Sequence, residues 1–214
     1  MNGQKTIQKM PDLSYESKIN GVVAGIDEAG RGPWAGPVVA AAVVLNLQTL
    51  PTELIDGLDD SKKLNKKRRE ALFALLPAHA AIGVGVAEAT EIDRVNILQA
   101  TLAAMARAHD HLTTVLDVAP DHALVDGTHA PALPCDVSCI IKGDGKSLSI
   151  AAASIVAKVH RDQIMAKLAE DHPGYGWDHN AGYGTAEHQA ALVRLGVTEQ
   201  HRKSFKPILK MLRP

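Results

Sequence analysis

Asp27 and Glu28 are adjacent carboxylates that close the apolar stretch Val22-Val23-Ala24-Gly25-Ile26, and the glycine-rich bend Gly30-Arg31-Gly32-Pro33-Trp34-Ala35-Gly36-Pro37 follows almost at once. Two acids beside a would-be core strand cost desolvation energy unless a cation or hydrogen bonds compensate. The arrangement recurs at Asp126 before Gly127 and at Asp144 before Gly145, each after a short apolar segment. Strand ends of an α/β sheet are where reactive groups gather. Carboxylates that meet there repel and hold their protons more tightly, a cost that a divalent cation removes. An all-oxygen donor set suits Mg²⁺ or Mn²⁺ rather than Zn²⁺. Two such ions about 4 Å apart can activate a water and stabilise the leaving oxygen of a phosphodiester.

A plainer reading treats the Asp-Gly pairs as turn formers and Asp144 as a charge favoured at a helix N-terminus. For Asp126 or Asp144 alone the plainer reading is the better one; for the set, with Asp27-Glu28 behind a hydrophobic strand, a shared site is. Neighbours on a strand point to opposite faces, so Asp27 and Glu28 converge only if Glu28 sits at an irregular strand end. Asp162 is set apart from the site by roughly fifteen residues of helix, about 22 Å, and is expected to pair with Arg161 on the surface or between domains.

The elements that must position these acids follow from the apolar pattern. Residues 21–26, 38–45, 81–87, 122–125 and 137–141 read as strands, and Asn65 as the cap of a helix over 66–76 that Pro77 stops. Residues 91–111 carry helical spacing at Ile92, Val95, Leu98, Leu102 and Met105. A long helix over 147–170 has Ala151-Ala152-Ala153 to approach a sheet closely, a glycine loop spans 173–184, and two helices close the chain at 186–195 and 206–212. Strands followed by covering helices make the fold class α/β. The expected division is a flexible leader over 1–20, a catalytic domain over 21–171 and a helical, substrate-contacting region over 172–214.

At 214 residues, 46% hydrophobic and 22% charged, the chain can bury a full core. A net charge of -1 excludes a uniformly basic, histone-like protein. Basic patches exist locally at Lys62-Lys63 with Lys66-Lys67-Arg68-Arg69, and at Arg202, Lys203, Lys206, Lys210 and Arg213, and such patches can track a phosphate backbone. Cys135 and Cys139, the only cysteines, would lie about 13 Å apart on one strand, too far for a disulfide. With no secretory pattern and no run of spanning length, a reducing, cytoplasmic setting is expected.

Gly25-Ile26-Asp27-Glu28-Ala29-Gly30-Arg31-Gly32-Pro33 with Ala35-Gly36-Pro37-Val38 resembles the opening motif of the type 2 ribonucleases H, the ribonuclease HII family. Asp60-Ser61-Lys62-Lys63-Leu64, Val125-Asp126-Gly127, Lys142-Gly143-Asp144 and Ala152-Ala153-Ser154-Ile155-Val156-Ala157-Lys158 are similar to its later blocks, in the same order, and residues 179–185 to its C-terminal signature. Trp34 stands where the family more often has Leu. The resemblance implies a ribonuclease H-like mixed five-stranded sheet flanked by helices, with a small C-terminal helical extension. It implies an endonuclease that cuts the RNA strand of RNA–DNA hybrids and the 5′ side of single ribonucleotides in duplex DNA, leaving 3′-hydroxyl and 5′-phosphate ends. By position, Asp27, Glu28, Asp126 and Asp144 become the metal-binding catalytic acids, with Mn²⁺ or Mg²⁺, two in the catalytic complex. Gly30, Arg31 and Gly32 become the reader of the 2′-hydroxyl, which separates RNA from DNA, and Tyr183 packs on the sugar at the RNA-to-DNA junction. Lys62, Lys63, Lys142 and Lys146, the cations nearest these motifs, are candidates to hold phosphates. The expected partners are the hybrid and ribonucleotide-containing duplex DNA, handled by a monomer away from any membrane.

Rival motifs fail. Gly30-Arg31-Gly32-Pro33-Trp34-Ala35 fits a dinucleotide pattern that needs a helix next, whereas 37–45 is β-like. Gly145-Lys146-Ser147 lacks the earlier glycine of a phosphate loop, that place being Ile140. The histidines, His172 and His179 included, have no zinc-like spacing and are assigned structural or surface roles. A non-catalytic hybrid-binding module on the same fold is disfavoured by the presence of all four acids. The sister type 3 enzymes usually carry an N-terminal substrate-binding domain that twenty residues cannot form.

Overall fold

The structure, a computed structural model, describes residues 10–213. Among them, strands β1 (Val23–Ala29), β2 (Val38–Leu45), β3 (Ala80–Ala87), β4 (His122–Asp126) and β5 (Asp136–Ile140) form one sheet in the order β3-β2-β1-β4-β5. The pairs β1-β2 and β2-β3 are antiparallel, and β1-β4 and β4-β5 are parallel. This is the mixed five-stranded sheet expected above. Helices follow as α1 (Thr52–Ile55), α2 (Lys66–Leu75), α3 (Ala89–Val95), α4 (Ile97–Leu116), α5 (Leu148–Asp171), α6 (Trp177–Asn180), α7 (Ala186–Leu195) and α8 (Lys206–Leu212).

The pleat sorts the side chains into two cores. Ala24, Ile26, Ala40, Ala42, Ala123 and Val125 face α4, where Ala104, Met105, Ala108 and Leu112 meet them. The intervening positions Ala41, Val43 and Leu45 face α5 and α2, against Ala152, Ile155, Val156 and Leu72. Strand β2 is a Val/Ala run because both its faces are buried. Gly25 faces α5 so closely that a Cβ there would lie 2.2 Å from the carbonyl carbon of Ser149 and 2.4 Å from the nitrogen of Ile150. Helix and strand therefore touch backbone to backbone, which fixes the height at which α5 starts.

Three expectations need correction. The helix read over 91–111 is two helices: Asn96 has φ 72°, and its Oδ1 accepts from the N–H groups of Leu98 and Gln99 to cap α4. Apolar spacing runs on through a side-chain cap, so periodicity alone misses the break. The flexible leader read over 1–20 packs onto the rest of the chain from residue 11 onwards. Tyr15 and Ile19 rest on Leu124, Ile140 and Ile150, and Glu16 is buried; residues 1–9 lie outside the described residues. The chain's C-terminal part folds around Tyr175, Trp177, Ala191, Leu192 and Ile208, which pack with Ala35 of the glycine-rich bend and Met165 of α5. There Arg202, expected among phosphate-tracking cations, is fully buried.

Replacing Gly25 by Ala is expected to destabilise the protein by about 1–3 kcal/mol, as overpacking a tight core does. In a chain of this size that lowers Tm by roughly 2–4 °C per kcal/mol. Thermal unfolding followed by circular dichroism measures it, and an unchanged Tm would mean that α5 does not rest on β1 at this point.

Candidate metal centre and substrate cleft

Asp27 lies in β1 and Asp126 ends the parallel neighbour β4, one step beyond the register pair Ile26–Val125. Asp144 sits in the one-turn 3-10 segment Gly143–Gly145 that leads into α5. The amide of Gly143 donates to Asp126 Oδ1 at 2.6 Å, tying that turn to the strand. Asp27, Asp126 and Asp144 thus each offer one carboxylate oxygen, all within 4.8 Å of one another. The resemblance joins residues 99 and 18 positions apart in the chain, and the fold brings all three together on the α5 face.

Glu28 stands elsewhere. It is a regular member of β1, opposite Ala40, so the pleat turns it to the α4 face. Its Oε1 lies 3.4 Å from Arg31 Nη1. It lines both the cleft of Gly30, Gly32 and Tyr183 and a smaller one with Thr101, Met105, Asp126 and His129. The strand end is not irregular there, and Glu28 borders the trio rather than joining it.

Electrostatics records the crowding. Burial, then Glu28, then Asp126 hold the Asp27 proton well above the usual carboxylate range, with Asp144 adding to the effect. Burial, Asp126 and Asp60 raise Asp144 against the opposing charge of Lys62. Burial also raises Glu28, offset by Arg31. For Lys62 burial works downwards, but Asp60, Asp27, Asp144 and Asp126 outweigh it and raise the ammonium. Three crowded carboxylates with no histidine or thiol among them fit a hard divalent cation, and neutralising their repulsion is what such an ion supplies.

The glycine-rich bend is held by two buried arginines. Arg202 donates to the carbonyls of Gly30 at 2.6 Å, Arg31 at 3.0 Å, Gly36 at 3.0 Å and Pro37 at 3.0 Å. Arg161 donates to Pro37, Ala35 and Ala181. Gly30 has φ 96°, and a Cβ there would stand 1.9 Å from Arg161 Nε, so any larger residue is excluded twice over. Burial, then its neighbour Arg161, pulls Arg202 down to about 9, and burial pulls Arg161 down to about 10. Arg161 is therefore not the partner expected for Asp162, which instead pairs with Lys158 at 2.6 Å and lies 4.0 Å from Arg69. Tyr183, 48% exposed, flanks Gly32 across the cleft.

The four lysines separate. Lys62 faces the acids and lines the clefts on both sides of them. Lys63 is engaged by Asp59 at 2.9 Å, and Lys146 Nζ donates to the Ile141 carbonyl at 2.7 Å. Lys142, with φ 56°, lines the outer cleft beside Asp126 and Asp144. Sequence reasoning missed Arg161 and Arg202 as positioning groups. Nothing in a lone arginine codon position distinguishes a buried carbonyl clamp from a surface cation. It also missed the Ser61–Ser154 hydroxyl bond at 2.8 Å, which anchors the Lys62 loop to α5.

Sheet order and carboxylate trio together define a metal-dependent nuclease on the ribonuclease H-like fold. A family model described as Ribonuclease HII matches residues 24–208. The chain is 59% identical over 203 residues to the ribonuclease HII of Paramagnetospirillum magneticum, covering 95% of this chain and 99% of that one. Among solved structures it is similar to a chain of the PCNA:RNase HII complex from Archaeoglobus fulgidus, with TM-score 0.70, 26% identity and coverage of 86% and 95%. The ribonuclease H2 from Pyrococcus horikoshii OT3 gives TM-score 0.66 at 26% identity, covering 88% and 96%. The chain belongs to the ribonuclease HII family, whose members are ribonuclease H endonucleases acting on RNA–DNA hybrids. Among the described residues no helix is long and apolar enough to cross a membrane.

A carboxyl that holds its proton more tightly in the folded chain stabilises the fold while protonated, and this contribution is lost as pH rises through the folded-state value. In chelator, Asp27→Asn is therefore expected to melt higher than the parent, by roughly 2–4 °C per kcal/mol of repulsion relieved. That gap should widen from about pH 5 to 8, above the ordinary carboxylate range. Mn²⁺ should raise the parent's Tm more than the variant's. Paired melting curves decide it, and a variant that melts lower than the parent at every pH would contradict the crowding.

Proposed function

We propose that this protein cuts the RNA strand of RNA–DNA hybrids and also incises on the 5′ side of single ribonucleotides embedded in duplex DNA, leaving 5′-phosphate and 3′-hydroxyl ends. The observation that carries this reading is the convergence of Asp27, Asp126 and Asp144 within 4.8 Å, beside a bend with no side chain at Gly30 or Gly32. Asp27, Asp126 and Asp144, with Glu28 at their edge, are the residues that would hold divalent ions, Mn²⁺ or Mg²⁺, two in the catalytic complex. Ions bound there supply a nucleophilic water and charge stabilisation at the leaving oxygen.

The chain's own groups do the rest. Gly30, Arg31 and Gly32 meet the ribose, and their shape is fixed because Arg202 occupies the carbonyls of Gly30 and Arg31 from behind. A backbone so held discriminates by a 2′-hydroxyl it can or cannot bond. Tyr183, exposed across the same cleft, stacks on the sugar at the RNA-to-DNA junction. Lys62 carries phosphate close to the acids. Lys63, Lys142 and Lys146 are the outer phosphate contacts, adding salt-dependent affinity without sequence preference. Residues 172–214 form the helical region that contacts substrate, joined to the catalytic part 21–171. Such an activity belongs to ribonucleotide excision repair and DNA replication in the cytoplasm, carried out by a monomer.

The direct experiment is incubation with a duplex containing one ribonucleotide, with and without Mg²⁺ or Mn²⁺, followed by end-group analysis. Incision 5′ of the ribonucleotide in the presence of metal is the expected result; cutting of hybrids alone would restrict the reading to RNA tracts. Asp27→Asn and Asp126→Asn are expected to lower turnover by at least 100-fold or so, exceeding what loss of an outer-shell partner costs. Near-normal turnover in either would overturn the ligand assignment. Tyr183→Ala removes a stacking contact of about 1–3 kcal/mol, so incision at a lone ribonucleotide is expected to fall roughly 5–150-fold and cleavage of a long RNA tract much less. Equal losses on the two substrates would dismiss the junction role.

A further inference from the structure

Residues 12–19 precede the family match, which begins at residue 24, and they are bonded to the start of α5 through Asp12 and Glu16. Asp12 brackets the helix start with its backbone: its N–H donates to the Lys146 carbonyl and its carbonyl accepts from the Leu148 N–H, both at 3.1 Å. Glu16 Oε1 accepts three hydrogen bonds there, from Ser147 Oγ at 2.6 Å, Ser149 Oγ at 2.6 Å and the Ser149 N–H at 3.0 Å. Its other oxygen, Oε2, is buried and has no partner. A buried carboxylate with half its acceptor capacity unused is costly, and such a group calls for an explanation.

We propose that residues 12–19 are a clasp that fixes the turn carrying Asp144, with Glu16 as a positioning residue for metal binding. This rests on the reading of Asp144 as a ligand. The Asp144 turn hangs between two attachments. On one side Gly143 is bonded to Asp126. On the other, Lys146 and Ser147 bond back to the Gly143 carbonyl, and both are gripped by the N-terminal segment. Glu16 places its charge at the first turn of a 24-residue helix, where an anion is favoured, and its acceptor oxygen stops that turn from fraying. Without the grip, the turn is held only at its Asp126 end, Asp144 can move away from Asp27 and Asp126, and the trio loses its spacing.

The test uses the full chain and Mn²⁺ alone, titrated by calorimetry. Glu16→Ala is expected to weaken Mn²⁺ binding about 10–100-fold, the loss typical when a group supporting a metal ligand is removed. Ser149→Ala, which deletes one donor and keeps the carboxylate, is expected to give a smaller loss and decides the matter if Glu16→Ala does not fold. Leu72→Ala, in the core beneath α2, should lower Tm while leaving Mn²⁺ affinity at the parent value. Parent affinity in both clasp variants, or an equal loss in Leu72→Ala, would overturn the clasp. Failure of Asp144→Asn to affect Mn²⁺ binding would instead remove Asp144 from the ligand set, which separates the two readings.

Discussion

Mutual repulsion among Asp27, Asp126 and Asp144 is the constraint around which this chain is built. Left to themselves, three carboxylates within 4.8 Å would swing apart or take up protons. The fold denies them the first option by attaching each to a different rigid support. Asp27 is inside a strand paired on both sides, Asp126 is bonded to the turn that carries Asp144, and α5 starts against the bare backbone of Gly25. What remains is a site whose occupancy by cation is favourable because its empty form is not. Stability and function are traded at one place, as they commonly are where activity needs a strained arrangement.

A second concentration of charge has the opposite sign and a different purpose. Among the described residues no carboxylate pairs with the buried Arg161 and Arg202, and their donors are spent on main-chain carbonyls. Charge-assisted bonds of this kind are stronger than neutral ones, and several converge on the bend over 30–37. A loop rich in glycine would otherwise sample many shapes. The arginines convert it into a fixed backbone surface.

How much of this was legible depends on what each feature leaves in the chain. The strands and the acids at their ends were legible, since apolar runs ending in Asp followed by Gly are local patterns. The pleat rule also gave warning about Glu28, and the structure places it on the far face from Asp27 as a regular strand requires. Capping at Asn96 was illegible to periodicity because the apolar spacing continues past it. The burial of Arg161 and Arg202 was hidden for another reason: their partners are carbonyls, which every residue possesses, so no residue type at any spacing announces them. Likewise residues 11–20 look polar in sequence, but Tyr15 and Ile19 pack on the core and Glu16 bonds to the start of α5.

Helix α5 joins the two charge centres and sets their separation. Its first turn touches β1 at Gly25 through Ser149, and its middle reaches Gly30 through Arg161. Five strand residues span about 16–17 Å and twelve helical residues about 18 Å, so strand and helix keep step between the two contacts. Both contact points are glycines, one because backbone meets backbone, the other because a guanidinium fills the space. The carboxylate trio and the glycine-rich bend are thus held at one fixed offset by a single rod. A shift of α5 that relieved the acids would drag Arg161 from beneath the bend. Coupling of this kind makes the spacing of the acids and the shape of the glycine-rich bend parts of one rigid geometry rather than two adjustable ones, and it is why the crowding at Asp27 can be tolerated without loosening the bend.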